Sequence, residues 1–103
     1  MDTSDLWRTE SITADVREAA SILSEFPGVT RAWFFGSRAN RRALDFASDL
    51  DFAVEGLPAE KYIPALGRLL NQLGRAVDLV RWETASDAMR AQIASTGTLI
   101  HAP

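Results

Sequence analysis

The stretch FFGSRANRRALDFASDLDFAVEG, residues 34–56, puts two aspartates inside what otherwise has the character of a buried strand. Apolar residues recur at every second position from Leu50 to Val54, which predicts a strand with one apolar face. Asp49 and Asp51 fall on the other face. Aspartate is a poor strand former, and an unpaired carboxylate is costly to bury. The pair therefore needs a chemical explanation.

Side chains two apart on a strand point the same way, so the Cα atoms of Asp49 and Asp51 should lie roughly 6.5–7 Å apart. A third carboxylate, Asp78, sits in the middle of the short predicted strand AVDLV at 76–80. If that strand lies beside the first, three negative charges converge and repel one another. Divalent cations remove that cost, and hard oxygen ligands suit Mg²⁺. The pattern predicts a metal site.

A Gly-Ser pair stands ahead of these carboxylates. Gly36 follows a predicted strand, and a glycine there lets the backbone approach a ligand closely. Amides at the start of the next short segment can point at an anion. The Ser37 hydroxyl and the Arg38 guanidinium add donors for phosphate oxygens. With the metal pair, these residues predict a site for a metal-bound nucleoside triphosphate.

Each of these features also has a plainer interpretation. Asp49 and Asp51 could lie on a solvated strand face, and Asp78 could occupy an exposed edge position. The Gly-Ser pair could be an ordinary turn at the end of a strand, and the neighbouring Arg41 and Arg42 could form a solvated loop face. The coincidence of all the features in one short chain favours the chemical interpretation.

The rest of the chain predicts an α/β fold, in which a small sheet of three or four strands packs with helices in the order αβ(α)βαβα(β). Pro64 should kink the middle helix or mark its first turn, and Gly74 should end it. Tyr62 is expected to pack on that helix. The predicted helices span about 13–26, 59–73 and 86–95, and the predicted strands 29–35, 49–54, 76–80 and 98–101.

The length and composition limit the class of protein that the chain can be. The chain has 103 residues, of which 47% are hydrophobic, which suits a single domain over residues 1–103, with residues 1–10 as a loosely ordered lead-in. A net charge of -3 argues against nucleic-acid binding by bulk positive charge. The absence of cysteine excludes disulfides and thiolate metal sites. Without a signal peptide or an apolar run of roughly 20 residues, we expect a cytoplasmic protein that does not enter the membrane.

The segment GSRANRRALDFASDLDFAV resembles the signature of the minimal nucleotidyltransferases of the DNA polymerase β-like superfamily. Gly36 and Ser37 match the Gly-Ser pair, residues 48–51 match the Ser-Asp-x-Asp element, and Asp78 matches the later carboxylate. The spacer between Ser37 and Asp49 has eleven residues, slightly more than is usual. Asn40 and Arg41 also stand where relatives often have arginine and glycine, and Asp45 adds an acidic group nearby.

The resemblance implies a mechanism and a set of site residues. Asp49, Asp51 and Asp78 would hold two Mg²⁺ ions, and Asp78 would help to deprotonate the acceptor hydroxyl. A nucleotide monophosphate, AMP from ATP by family analogy, would pass to that hydroxyl as pyrophosphate leaves. The triphosphate would be bound by four residues near the Gly-Ser turn and the Asp-x-Asp element: Gly36, Ser37, Arg38 and Ser48.

The short chain further resembles the catalytic cores that pair with an all-helical HEPN partner in toxin–antitoxin systems. That resemblance implies an antitoxin that AMPylates a tyrosine of the toxin. Two other functions remain open from the residues. The chain could neutralise its partner by contact alone, or it could be the catalytic subunit of a two-component enzyme that modifies a small molecule.

Overall fold

In the computed structural model, the chain is described over residues 3–35 and 50–103, with side chains from residue 13 onward. These residues form three helices and a four-stranded mixed sheet, which confirms the predicted class. Two short 3₁₀ turns, Ala59–Lys61 and Trp82–Thr84, lie between the main elements. The main elements are α1 (Thr3–Ser24), β1 (Arg31–Phe35), β2 (Leu50–Glu55), α2 (Tyr62–Leu73), β3 (Val77–Arg81), α3 (Asp87–Thr96) and β4 (Thr98–His101).

The sheet has the strand order β3-β2-β1-β4. β1 pairs antiparallel with both β2 and β4, whereas β2 and β3 are parallel. β4, predicted as a short edge strand, forms one edge, and β3 forms the other. The parallel pair requires a crossover connection, and α2 with its preceding 3₁₀ turn supplies it.

Helices cover both faces of the sheet. One face packs with α1 and α2 into the main core, to which β2 contributes Leu50, Phe52 and Val54. The opposite face packs with α3 into a smaller second core around Phe35 and Ala53. β2 is therefore buried on both sides, including its acidic residue Asp51, of which only 7% is exposed. The prediction of one apolar face understated how enclosed this strand is.

The helix ends follow the sequence signals with one correction. α1 begins at Thr3, well before the predicted start at Thr13, because neither glycine nor proline interrupts the chain before Pro27. Pro64 stands in the first turn of α2, where its missing N–H costs no helical hydrogen bond. Gly74 ends α2 in the left-handed conformation, with φ of 65°.

The last helix and the final strand lie close to their predicted bounds. Ser86 caps the helix, and its hydroxyl accepts a hydrogen bond from the Met89 N–H at 3.1 Å. Gly97 follows the helix, and its N–H donates to the Ile93 carbonyl at 2.8 Å. No helix within the described ranges is both long and apolar enough to cross a membrane.

Two glycines make a close backbone contact at the ends of β1 and β2 that lie away from Asp51. Gly28 and Gly56 both have positive φ, 96° and 91°. A Cβ added at Gly56 would lie 2.0 Å from the Gly28 carbonyl oxygen. This junction requires glycine for both conformation and space.

We expect Gly56→Ala to lower the free energy of unfolding by about 2 kcal/mol or more, because it adds both backbone strain and a clash with the Gly28 carbonyl. The matched control is Gly67→Ala. Gly67 lies within α2, and an added Cβ there meets no atom within 4 Å. That change should raise the free energy by about 0.5–1 kcal/mol. Urea unfolding of the two variants, monitored by circular dichroism, measures both effects. Equal changes in the two variants would contradict the conclusion that the Gly28–Gly56 junction requires glycine.

An ion pair on the sheet surface joins β1 to β2 near the same end. The Arg31 Nε lies 2.8 Å from a carboxylate oxygen of Glu55, and the Thr30 hydroxyl donates to the same carboxylate at 2.9 Å. The hydrogen bond from Arg31 and then that from Thr30 lower the pKa of Glu55. A lowered pKa means that ionised Glu55 is favoured in the folded state.

Glu55→Gln should therefore reduce stability slightly at neutral pH, since exposed pairs are weak. The difference from the unsubstituted protein should vanish as the pH falls through the lowered pKa of Glu55, where the protonated carboxyl no longer pairs with Arg31. Urea titrations across an acid pH series measure this convergence. Glu18→Gln, at an exposed position on α1, serves as the control. A difference in stability between Glu55→Gln and the unsubstituted protein that grows as the pH falls would contradict the predicted direction.

Candidate active site

The central feature of the candidate site is the pairing of two aspartates on adjacent strands. In the parallel register of β2 and β3, Asp51 lies directly opposite Asp78. Neighbouring strands are about 4.7–4.9 Å apart, so the two residues are near neighbours. The prediction left open whether the Asp78 strand would lie beside β2; the structure places it there.

Both aspartates lie on the sheet face that carries the second core. Strand alternation puts Asp51 on the same face as Ala53, and Asp78 on the same face as Val80, and both of these apolar residues contact the second core. Asp51 is buried, whereas Asp78 is exposed on the edge strand. The pair thus spans the boundary between the protein interior and solvent.

The electrostatics of the pair are those of two like charges held together. Partial burial raises the pKa of Asp78, and the neighbouring Asp51 carboxylate raises it further. A hydrogen bond from the Leu79 N–H opposes these two effects. The folded protein therefore disfavours the ionised form of Asp78 unless a positive charge is nearby.

Tyr62 lies closer to this site than its expected packing role suggests. It packs partly buried against the main core, as predicted, but its hydroxyl also donates to the Leu79 carbonyl at 2.5 Å. Burial and the charge of Asp78 raise the pKa of Tyr62. Nothing in the sequence marks this proximity, because it depends on which edge of β3 faces α2.

An aromatic cluster lies on the same face of the sheet. The rings of Trp33 and Trp82 stack with centroids 5.0 Å apart. The Arg90 guanidinium lies 5.2 Å from the Trp82 ring centroid, and its Nε donates to the Trp82 carbonyl at 2.9 Å. Trp33 is paired with Ala53, one position along the face from Asp51. These residues anchor the second core beside the carboxylates.

Several predicted site residues lie outside the described part of the chain, so their positions stay predictions. The predicted metal ligand Asp49 is one of them, as are the three further loop residues Arg41, Arg42 and Asp45. The nucleotide-binding candidates outside it are Gly36, Ser37, Arg38 and Ser48. Over residues 3–35 and 50–103, no group of three His, Cys, Asp or Glu side chains is placed to hold a metal ion.

The donor set that is described nevertheless fits a hard divalent cation. Asp51 and Asp78 offer carboxylate oxygens, the ligands that Mg²⁺ prefers. Their adjacency also creates an electrostatic cost that a cation would relieve, as the raised pKa of Asp78 indicates. We therefore take this end of the sheet as the candidate active site.

Comparison with known proteins assigns the family. Residues 17–102 match the family model described as Polymerase beta, Nucleotidyltransferase. The chain belongs to this nucleotidyltransferase family. The match includes both aspartates, all four strands, α2, α3 and the last part of α1, residues 17–24. It confirms the resemblance drawn from the Gly-Ser and Asp-x-Asp motifs, and no curated protein sequence matches the nucleotidyltransferase closely enough to add to it.

Solved toxin–antitoxin complexes contain chains with the same fold as this nucleotidyltransferase. A chain from the complex of a tri-AMPylated Shewanella oneidensis HEPN toxin with an MNT antitoxin has a TM-score of 0.70 at 21% identity, covering 88% of this chain and 72% of that one. The MntA-HepT complex gives 0.69 at 21% identity, with 88% and 73% covered. A toxin–antitoxin complex with AMP-PNP gives 0.61 at 23% identity, with 91% and 73% covered. Identities this low show a shared fold.

Removing one of the two like charges should stabilise the metal-free protein. We expect Asp78→Asn, which keeps a hydrogen-bond acceptor, to raise the free energy of unfolding by about 0.5 kcal/mol, a small gain because solvent screens Asp78. Millimolar Mg²⁺ should raise the melting temperature of the unsubstituted protein but not that of the variant. Calorimetry with and without Mg²⁺ measures both effects.

Glu18→Gln is the control for this experiment, because it removes one negative charge from an exposed position on α1. It should leave the response to Mg²⁺ intact. A variant at Asp78 that is stabilised by Mg²⁺ as strongly as the unsubstituted protein would show that the cation binds elsewhere.

Proposed function

We propose that this nucleotidyltransferase uses Mg²⁺ and ATP to move AMP onto a protein hydroxyl, most specifically a tyrosine of a HEPN-type toxin, and that it acts as the antitoxin of that pair. The observation that carries the proposal is the direct pairing of Asp51 with Asp78 in a chain of the nucleotidyltransferase family. A family member that retains adjacent carboxylates retains the groups that the chemistry needs.

The residues have distinct tasks in the proposed reaction. Asp49, Asp51 and Asp78 would hold two Mg²⁺ ions, which supply charge stabilisation to the triphosphate and the developing phosphorane oxygens. Gly36, Ser37, Arg38 and Ser48 would bind the phosphates and keep the α-phosphorus in line with the acceptor. Asp78 would also help to deprotonate the acceptor hydroxyl.

The proposed transfer is a single displacement at the α-phosphorus. The acceptor oxygen forms a bond to the α-phosphorus while the bond from that phosphorus to the bridging oxygen breaks. The hydroxyl proton passes to the Asp78 carboxylate, and pyrophosphate leaves with the electron pair of the broken bond. The product is an acceptor that carries AMP in a phosphodiester bond.

A protein acceptor is favoured by two considerations. The described part of the chain forms one small sheet with three helices, and all of these elements pack into its two cores. The chain also shares its fold with proteins whose complexes are described as a tri-AMPylated HEPN toxin with an MNT antitoxin and as MntA-HepT. We extend the partner and the modification from those complexes to this chain as part of the proposal.

Incubation with α-labelled ATP, Mg²⁺ and a HEPN-type protein encoded beside this chain should transfer label to that protein. We expect Asp51→Asn to lower the transfer rate by roughly 100-fold or more, because it removes a charged ligand from the buried side of the site. Gel autoradiography gives the rate, and mass spectrometry of the labelled protein identifies the modified residue. Glu60→Gln, at an exposed position before α2, should transfer at the normal rate.

The same materials separate catalysis from contact. Cells that express the HEPN protein should be protected by the unsubstituted chain and not by the Asp51→Asn variant. Full protection by the variant would instead assign the antitoxin effect to binding alone. Label on a hydroxylated small molecule but never on the HEPN protein would move the proposal to a two-component small-molecule enzyme.

A further inference from the structure

We propose that Tyr62 is a positioning residue for the transfer reaction, and that its hydroxyl holds Asp78 in place through the backbone of Leu79. The inference rests on the proposed function for its effect on rate. The structural observation behind it is the hydrogen bond from Tyr62 to Leu79, at the edge of β3 that does not face β2.

The ladder geometry determines which residues of β3 face that edge. The Leu50 N–H donates to the Ala76 carbonyl at 3.2 Å, so Ala76 faces β2. In a parallel pair, alternate residues of a strand direct both backbone groups to the same neighbour. Asp78 therefore also pairs with β2, whereas the backbone groups of Leu79 point to the other edge of β3, where no further strand lies among residues 3–35 and 50–103.

The Leu79 carbonyl, which faces this edge, is nevertheless hydrogen-bonded. It accepts from the Tyr62 hydroxyl at 2.5 Å. Leu79 directly follows Asp78 on β3, so a core-anchored tyrosine holds the backbone next to the carboxylate.

The Tyr62 hydrogen bond supports Asp78 in a way that pairing with β2 does not. The β2–β3 ladder holds one side of β3, and the described part of the sheet has no strand on the other side. The Tyr62 hydroxyl supplies a hydrogen bond on that side, one residue from Asp78. A backbone that is held on both sides limits the positions that the exposed Asp78 side chain can reach.

Tyr62 is suited to this role because its own position is fixed. It is the first residue of α2, and its ring packs against the main core. The Leu79 side chain, 2% exposed, belongs to the same core. The hydroxyl is therefore held by rigid elements, as a residue that supports a ligand must be.

Tyr62→Phe removes the hydroxyl and keeps the packed ring. We expect kcat for AMP transfer and the affinity of the chain for Mn²⁺ each to fall by about 10-fold, as for the loss of a group that supports a metal ligand, with KM for ATP unchanged. The Leu79 amide should exchange faster with solvent. Steady-state kinetics, electron paramagnetic resonance of free Mn²⁺ and hydrogen-exchange NMR provide the three measurements.

The matched control is Thr96→Val. Thr96 also donates a hydroxyl to a backbone carbonyl, that of Gln92 at 2.7 Å, but it does so on α3. This variant should keep normal kcat and normal Mn²⁺ affinity. In the Asp78→Asn background, Tyr62→Phe should cause no further loss of Mn²⁺ affinity, because its effect passes through Asp78.

The outcomes separate this inference from the proposed function. If the unsubstituted chain transfers no label yet binds Mn²⁺, the proposed function fails, and a weaker Mn²⁺ affinity in Tyr62→Phe still supports the positioning role. Unchanged Mn²⁺ affinity in Tyr62→Phe overturns the positioning role, whatever the transfer assay gives. The same holds if the unsubstituted chain binds no Mn²⁺, or if Tyr62→Phe and Thr96→Val lose activity equally.

Discussion

The parallel pairing of β2 with β3 is the constraint on which the rest of the molecule depends. It sets Asp51 opposite Asp78 and so imposes a repulsion that the fold must withstand. Burial of β2 on both faces supplies the apolar contacts that hold the strands in this register. A slip of one residue would move every side chain of β2 to the opposite face and would break both cores.

The two faces of the sheet carry different tasks. The face under α1 and α2 holds most of the buried apolar side chains, including Phe52 and Leu69. The face under α3 has a smaller core, which includes Phe35, Ala53 and Ile93, with the aspartates beside it. Because the larger core lies on the other side of the sheet, Asp51 and Asp78 can lie at the boundary with solvent, away from the centre of the protein, where their charges would be costlier.

Much of this arrangement could be predicted from sequence, for identifiable reasons. Period-two alternation and the Gly-Ser and Asp-x-Asp motifs locate β2. Gly74 marks the end of α2, and Ser86 and Gly97 mark the two ends of α3, as their backbone preferences predict. The predicted start of α1 was wrong, because a polar segment without glycine or proline gives no signal for where a helix begins. The role of Tyr62 could not be predicted because it depends on which edge of β3 faces α2, a tertiary property that no local pattern encodes.

The stacked indoles of Trp33 and Trp82 give the second core an optical signature of its own. Transition dipoles 5.0 Å apart couple strongly, so their near-ultraviolet circular dichroism depends on the exact stacking geometry. Arg90, which comes from α3, lies against the Trp82 ring of this pair. The docking of α3 can therefore be followed without any added label, separately from the helical signal of the whole chain.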